Sequence, residues 1–182
     1  MEAYGEVVAP GAVRLERLLP GPVTRLWDYL VDSEKRRLWL AAGEIAPVVG
    51  GTVEHVFHNN RLTGHDDAPP TKYGCYGGEI RQIGHVLEYK PMEVLAYTWN
   101  EGSGEPSQVR FELTPVGDKV RLVVTHSRLA TKSDMISVSG GWHAHLEVLA
   151  DRLADRTPES FWVTHTRLDS EYERRLKDAT PR

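Results

Sequence analysis

The chain has 182 residues, which is enough for one well-buried domain with a small extension and too few for two ordinary ones. Hydrophobic residues at 40% and charged residues at 26% exclude a disordered chain and point to a soluble globular one. A formal charge of −4 excludes a generally basic surface, so nucleic acid, which needs a concentrated Lys/Arg stripe to displace counterions, is not an expected partner. The single cysteine, Cys75, excludes an intramolecular disulfide and a thiolate-rich zinc site, as befits a reducing cytosol. MEAYGEVVAPGAV at the start carries no basic n-region, and no stretch reaches the roughly 18 apolar residues of a membrane span, so a cytoplasmic location is expected.

AVRLERLL (Ala12 to Leu19) alternates and then meets Pro-Gly-Pro, which predicts a strand giving way to a helix opened by Pro22. Val23, Leu26, Trp27 and Leu30 have the i, i+3, i+4, i+7 spacing of a short helix with one buried face. Asp32 and Ser33 are capping residues and predict a second short helix. After PVVGG the texture changes to short alternating runs between Gly, Pro and Asn, the pattern of an antiparallel sheet. Within it Val53, His55 and Phe57 share a face, as do Leu95, Tyr97 and Trp99; Val109, Phe111 and Leu113; and Val120, Leu122, Val124 and His126. YKPME and PVGDK supply hairpin turns. NNRLTGHDDAPPTKYG is the least regular segment and reads as a mobile loop or extended sheet edge, with Asp66 and Asp67 as solvated carboxylates. The last third is helical again, from about Gly141 to Ala154 and from about Pro158 to Leu176, with Thr157 and Pro158 opening the second helix.

Three segments in this order, RLERLLPGPVTRLWDYLVDSEKRRLWL, GHVLEYKPMEVLAYTW and GGWHAHLEVLADRL, resemble the START/Bet v 1-like (SRPBCC) superfamily. Within it the chain is similar to the branch of the Aha-type activator of heat-shock protein 90 ATPase. The resemblance implies an α+β helix-grip fold, a curved antiparallel sheet around a long C-terminal helix, over residues 12–154, with residues 155–182 as a helical extension. Two features depart from the family pattern. The length leaves no room for the separate N-terminal domain of the eukaryotic co-chaperone, so ATPase activation does not transfer directly. The segment between Phe57 and Gly84 is longer than the usual hairpin. Members of the superfamily mostly hold an apolar ligand between sheet and long helix, while others are polyketide cyclases or protein-binding modules, and fold alone does not choose among these.

SGGWHAHLEVLADRL raises the question of a histidine site, because His143 and His145 stand close together. At 100° per residue, Trp142, Leu146, Leu149, Ala150 and Leu153 form the buried stripe, with the two histidines on opposite flanks about 160° apart. They cannot share a metal, and their spacing differs from the i, i+4 relation that helical chelation needs. His143 runs into Glu147 and Asp151 as a solvated polar row. His145 shares its flank with Arg152 and can tilt toward a cavity mouth. His55 and His126 point inward and need a hydrogen-bond partner from protein, water or ligand. His165, in a stripe with Phe161, Leu168 and Tyr172, packs the last helix onto the body or onto a second subunit.

Cys75 lacks an identifiable base, and no GxSxG, GxGxxG or P-loop pattern is present, so no catalytic residue, metal or cofactor is assigned. Tyr97, Trp99, Phe111 and Trp142 face one another across the grip and make either a packed core or a wall for a flat apolar ligand. The expectation is non-enzymatic binding of a hydrophobic or aromatic small molecule by His55, Phe57, Tyr97, Trp99, Phe111, His126, Trp142, His145, Leu146 and Leu149. The alternatives are a co-chaperone-like module with a chaperone or other protein partner, and a polyketide cyclase-like enzyme. A homodimer through the terminal helix is a further expectation.

Overall fold

Alternating apolar runs build a seven-stranded antiparallel sheet in the computed structural model, which describes residues 4–65 and 68–181. Asp66 and Asp67 therefore lie outside the described residues. The strands are β1 (Glu6–Ala9), β2 (Ala12–Pro20), β3 (Thr52–Phe57), β4 (Ile80–Lys90), β5 (Val94–Trp99), β6 (Ser107–Val116) and β7 (Lys119–Ser127), ordered β1-β2-β7-β6-β5-β4-β3. The helices are α1 (Val23–Val31), α2 (Ser33–Arg36), α3 (Lys132–Leu153) and α4 (Phe161–Arg175). This is the helix-grip fold, α+β, with its curved sheet closed over the long α3. Among the described residues no helix is long and apolar enough to cross a membrane.

The period-2 faces decide which side of the sheet is covered. Val109, Phe111 and Leu113 on β6 pair with His126, Val124 and Leu122 on β7, and all six are buried on the covered face of the sheet. Val53, His55 and Phe57 continue that face on β3, and Leu95 and Tyr97 lie buried on β5. Bending at the β4 end uses Gly84, where a Cβ would stand 2.2 Å from the Thr98 carbonyl oxygen. Between β2 and β3, α1 buries Leu26, Trp27 and Leu30. Arg36 is 1% exposed and donates to the Leu30 and Val31 carbonyls at 3.2 and 3.0 Å, closing the C-terminus of α1. Asp32 caps α2 by accepting from Lys35 N at 2.9 Å, as its residue type predicts.

Three elements differ from the sequence expectation. The strand β1 has four exposed residues and no burial alternation to betray it; it exists because it pairs with β2. The long helix starts at Lys132, not near Gly141, with Thr131 and Asp134 forming a reciprocal capping box. Ser139, Gly140 and Gly141, whose composition suggested a helix start, lie inside it. The last helix is capped by Ser160, which accepts from Val163 N at 3.3 Å, rather than opened by Thr157 and Pro158.

Candidate functional site

A cavity of about 350 Å³ lies between the sheet, α3, α4 and the β3–β4 connection. The sheet wall is built by one inward residue from each of five strands: Phe57, Gln82, Trp99, Ser107 and His126. The helix wall is Trp142 and His145 from α3. The third wall joins Tyr73 and Tyr76 from the short 3-10 turn at Thr71–Tyr76 to Phe161, Trp162 and His165 from α4. Trp99 is central, with ring centroids 5.2 Å from Trp142, 5.7 Å from His126 and 5.9 Å from Phe57.

The histidines are fixed by their partners. The indole N–H of Trp142 donates to His126 Nδ1 at 2.9 Å. An indole nitrogen only donates, so Nδ1 of His126 is the acceptor and its ring proton sits on Nε2. That nitrogen meets Ser107 Oγ at 2.7 Å and therefore donates to it. Burial holds His126 neutral, pushing its pKa down to about 3. The polarity is the reverse of a serine nucleophile and its base: the histidine has no spare lone pair with which to take the serine proton. His145 donates from Nδ1 to the Trp39 carbonyl at 2.7 Å, which leaves Nε2 as its lone-pair nitrogen. Burial outweighs that bond and lowers its pKa to about 4. His165 is lowered to about 4 by burial, against the opposing charge of Asp169. At neutral pH the cavity thus presents uncharged imidazoles.

Of the residues expected from sequence, Phe57, Trp99, His126, Trp142 and His145 border the cavity. His55, Tyr97, Phe111, Leu146 and Leu149 stand one layer behind. His55 is stacked on Phe57 at 5.7 Å and meets Tyr97 Oη through Nε2 at 3.3 Å. Phe111 backs Trp142 edge-on at 5.4 Å, while Leu146 and Leu149 are fully buried in the core. These five set the positions of the wall rings without bordering the space.

His143 and His145 diverge from the helix, but His143 is not in a solvated row. It is fully buried, with Nδ1 accepting from Tyr172 Oη at 2.9 Å and Nε2 facing Glu147 at 3.2 Å. Tyr4 and α4 cover that flank, which a helical projection of α3 alone cannot show. The third wall was not assigned from sequence. Phe161 and His165 were legible, with Leu168 and Tyr172, as a stripe that packs the last helix onto the body or a second subunit, Trp162 was not singled out, and the signal in the irregular segment was the three-residue spacing of Tyr73 and Tyr76. The α4 stripe packs on α3 of the same chain. Among the described residues no group of three His, Cys, Asp or Glu side chains is placed to hold a metal ion.

The model of the family described as Activator of Hsp90 ATPase homolog 1-like protein matches residues 20–154. The chain belongs to that family. A solved member of similar shape is the protein encoded by gene BPP1335 of Bordetella parapertussis, 44% identical over 96% of this chain and 91% of that one, with a TM-score of 0.81. CalU16 of Micromonospora echinospora is 16% identical over 92% of this chain and 86% of its own, with a TM-score of 0.65. DynU16, from the dynemicin biosynthetic locus, is 20% identical with a TM-score of 0.65, and the match covers 82% of this chain and 49% of that one. At such identities the last two share the fold. No curated protein matches the chain. The match to this activator-homolog family ends at residue 154, so α4 and the wall it contributes lie beyond it.

Proposed function

We propose that this protein binds a hydrophobic or aromatic small molecule in the cavity between sheet and long helix, and does so without covalent chemistry. The observation that carries the reading is the cavity itself, a space of about 350 Å³ walled by Phe57, Trp99, Trp142, Phe161 and Trp162. Rings set beside placed polar groups such as Gln82, His126 and His145 are what small-molecule recognition needs. His126 supports binding over catalysis, because both of its nitrogens are committed to Trp142 and Ser107. The Ser107 hydroxyl, accepting from His126, in turn donates to the Trp99 carbonyl at 3.5 Å.

Incubation with a mixed lipid and polyaromatic library followed by native mass spectrometry tests this. A retained adduct is expected with the wild-type chain and is lost in Gly141→Leu. Gly141 borders the cavity and a Cβ there meets nothing within 4 Å, so the larger side chain grows into the open space. No adduct above background would sink the reading. The family's description favours a second reading, a protein-interaction module acting on a chaperone of the heat-shock protein 90 type. Stimulation of such a chaperone's ATPase, equal for wild type and Gly141→Leu, would support the second reading over the first.

A further inference from the structure

The polar atoms of the cavity are unbalanced toward acceptors. Asn59 Oδ1 and Gln82 Oε1 are buried acceptors without a hydrogen-bond partner, His165 Nδ1 is likewise buried and unpartnered on a ring whose tautomer no bond fixes, and all three residues line the cavity. His165 is 5% exposed, so bulk water does not relieve it. The Nε2 lone pair of His145 adds a third acceptor, since its other nitrogen is committed to the Trp39 carbonyl. Leaving such a group unpaired is unfavourable, so this wall favours a ligand that brings donors.

The charges lean the same way. Among the described residues the one cationic side chain lining the cavity is Arg128, and it is already paired with Glu105 at 3.6 Å. Asp134 adds another carboxylate at the rim. Behind the third wall Lys72 is outnumbered, lying 3.0 Å from Asp169 and 3.1 Å from Glu173. The apolar surface is also of a matching kind. Tyr73 and Trp162 are stacked with centroids 6.3 Å apart, and Tyr76 stands 6.2 Å from Tyr73. Aromatic faces carry the negative end of the ring quadrupole and attract a cation brought within about 6 Å; Lys72 Nζ already stands 5.2 Å over the Tyr73 ring, so Tyr76 and Trp162 are the rings offered to a ligand.

We propose that the cavity takes an organic cation, an apolar or aromatic molecule bearing an ammonium group, with the charged end seated among Tyr76, Trp162 and His165. This rests on the reading of the cavity as a ligand site. An anionic head would meet lone pairs, ring faces and carboxylates, all unfavourable to it. A neutral hydroxyl would satisfy an acceptor but gain little from the rings and carboxylates.

The test compares three ligands of equal reach that differ in the head: phenylbutylammonium, phenylbutanol and phenylbutyrate. Each is titrated at neutral pH by displacement of the neutral fluorophore N-phenylnaphthylamine. The ammonium is expected to bind about tenfold more tightly than the alcohol, with the carboxylate weakest, the size of one partly desolvated cation–π contact. Trp162→Leu and Tyr76→Leu are each expected to shrink the ammonium-over-alcohol preference about threefold or more while the fluorophore still binds. Tyr76 is 40% exposed, so its variant keeps the fold if loss of the Trp162 indole disturbs α4. Equal or tighter binding of the alcohol or the carboxylate, or a preference unchanged in both variants, overturns the proposal and leaves the cavity reading standing. If neither the fluorophore nor any of the three ligands binds, both fall together.

Discussion

His126 shows how one side chain can be read from its partners. A donor-only indole on one side and a hydroxyl on the other fix the tautomer, and a fixed neutral tautomer fixes what the residue can do. Trp142→Phe keeps most of the ring volume but removes the N–H, leaving a fully buried nitrogen of His126 with no donor. The expected loss is about 1–3 kcal/mol of stability. It should be seen as a lower urea midpoint with an unchanged slope, and an unchanged midpoint would show that the bond contributes nothing. The inward direction of His126 was legible from strand alternation, and so were His55 and the aromatic wall residues. What the sequence could not supply was the depth of each residue. His55, Tyr97 and Phe111 have the same periodicity as Trp99, yet only Trp99 borders the cavity. Alternation gives the face and says nothing of how far the opposing helix stands off.

At the scale of elements, the β3–β4 connection and α4 are folded onto each other. Asp169 on α4 is 8% exposed and accepts from Tyr73 Oη at 2.5 Å and from Lys72 Nζ at 3.0 Å. Thr63 Oγ1 accepts from Phe161 N at 3.2 Å, and Trp162 Nε1 donates to Asn60 Oδ1 at 2.8 Å. The segment that reads as an irregular loop is therefore a wall held by a helix that lies beyond the family match. Asp169→Asn removes the charge from the short Tyr73 bond, and about 1–3 kcal/mol should be lost there. Lys72 is half exposed and contributes little of that. Hydrogen exchange should quicken selectively at residues 71–76, and a uniform change across the chain would contradict a local latch.

The pairing of loop and helix was not legible because no periodicity links a polar loop to a stripe almost a hundred residues away. The start of α3 was misjudged for a different reason. A Cβ at Gly140 would meet Asp169 Cα at 3.5 Å, an ordinary contact, and one at Gly141 would face open space, so packing demands glycine at neither position. The capping box of Thr131 and Asp134 sets the helix start, and the helix runs on through residues that by themselves read as a turn. Gly141→Ala, unlike the bulkier leucine, is expected to raise stability by about 0.5–1 kcal/mol by restoring helix propensity. A thermal midpoint that falls instead would mean that the open space at this position is filled in solution.

Across the whole molecule, four of the buried histidines share one cost. Burial lowers the pKa of His55 and His126 from 6.5 to about 3, and that of His145 and His165 to about 4, with positive charge on Arg36 adding to the effect at His55. A depressed folded-state value has a definite sign. Above about pH 6.5 these groups are neutral folded or unfolded, and their contribution to pH dependence vanishes. Below it the unfolded chain takes up protons that the folded chain refuses, so stability falls with pH until the folded values near 3 to 4 are reached. Each such histidine adds a slope of about 1.4 kcal/mol per pH unit, and four together can exhaust a typical domain stability of about 5–15 kcal/mol within a few units. Acid unfolding is therefore expected between about pH 6 and pH 4, ahead of full carboxylate protonation. Urea midpoints measured across that range should fall steeply for the wild type. The slope should flatten in His55→Gln combined with His165→Gln, whatever the absolute cost of the two substitutions. A midpoint that stays level from about pH 7 to about pH 5 would mean that these imidazoles accept protons in the folded state. Their neutrality, on which the acceptor-rich cavity depends, would then fail with it.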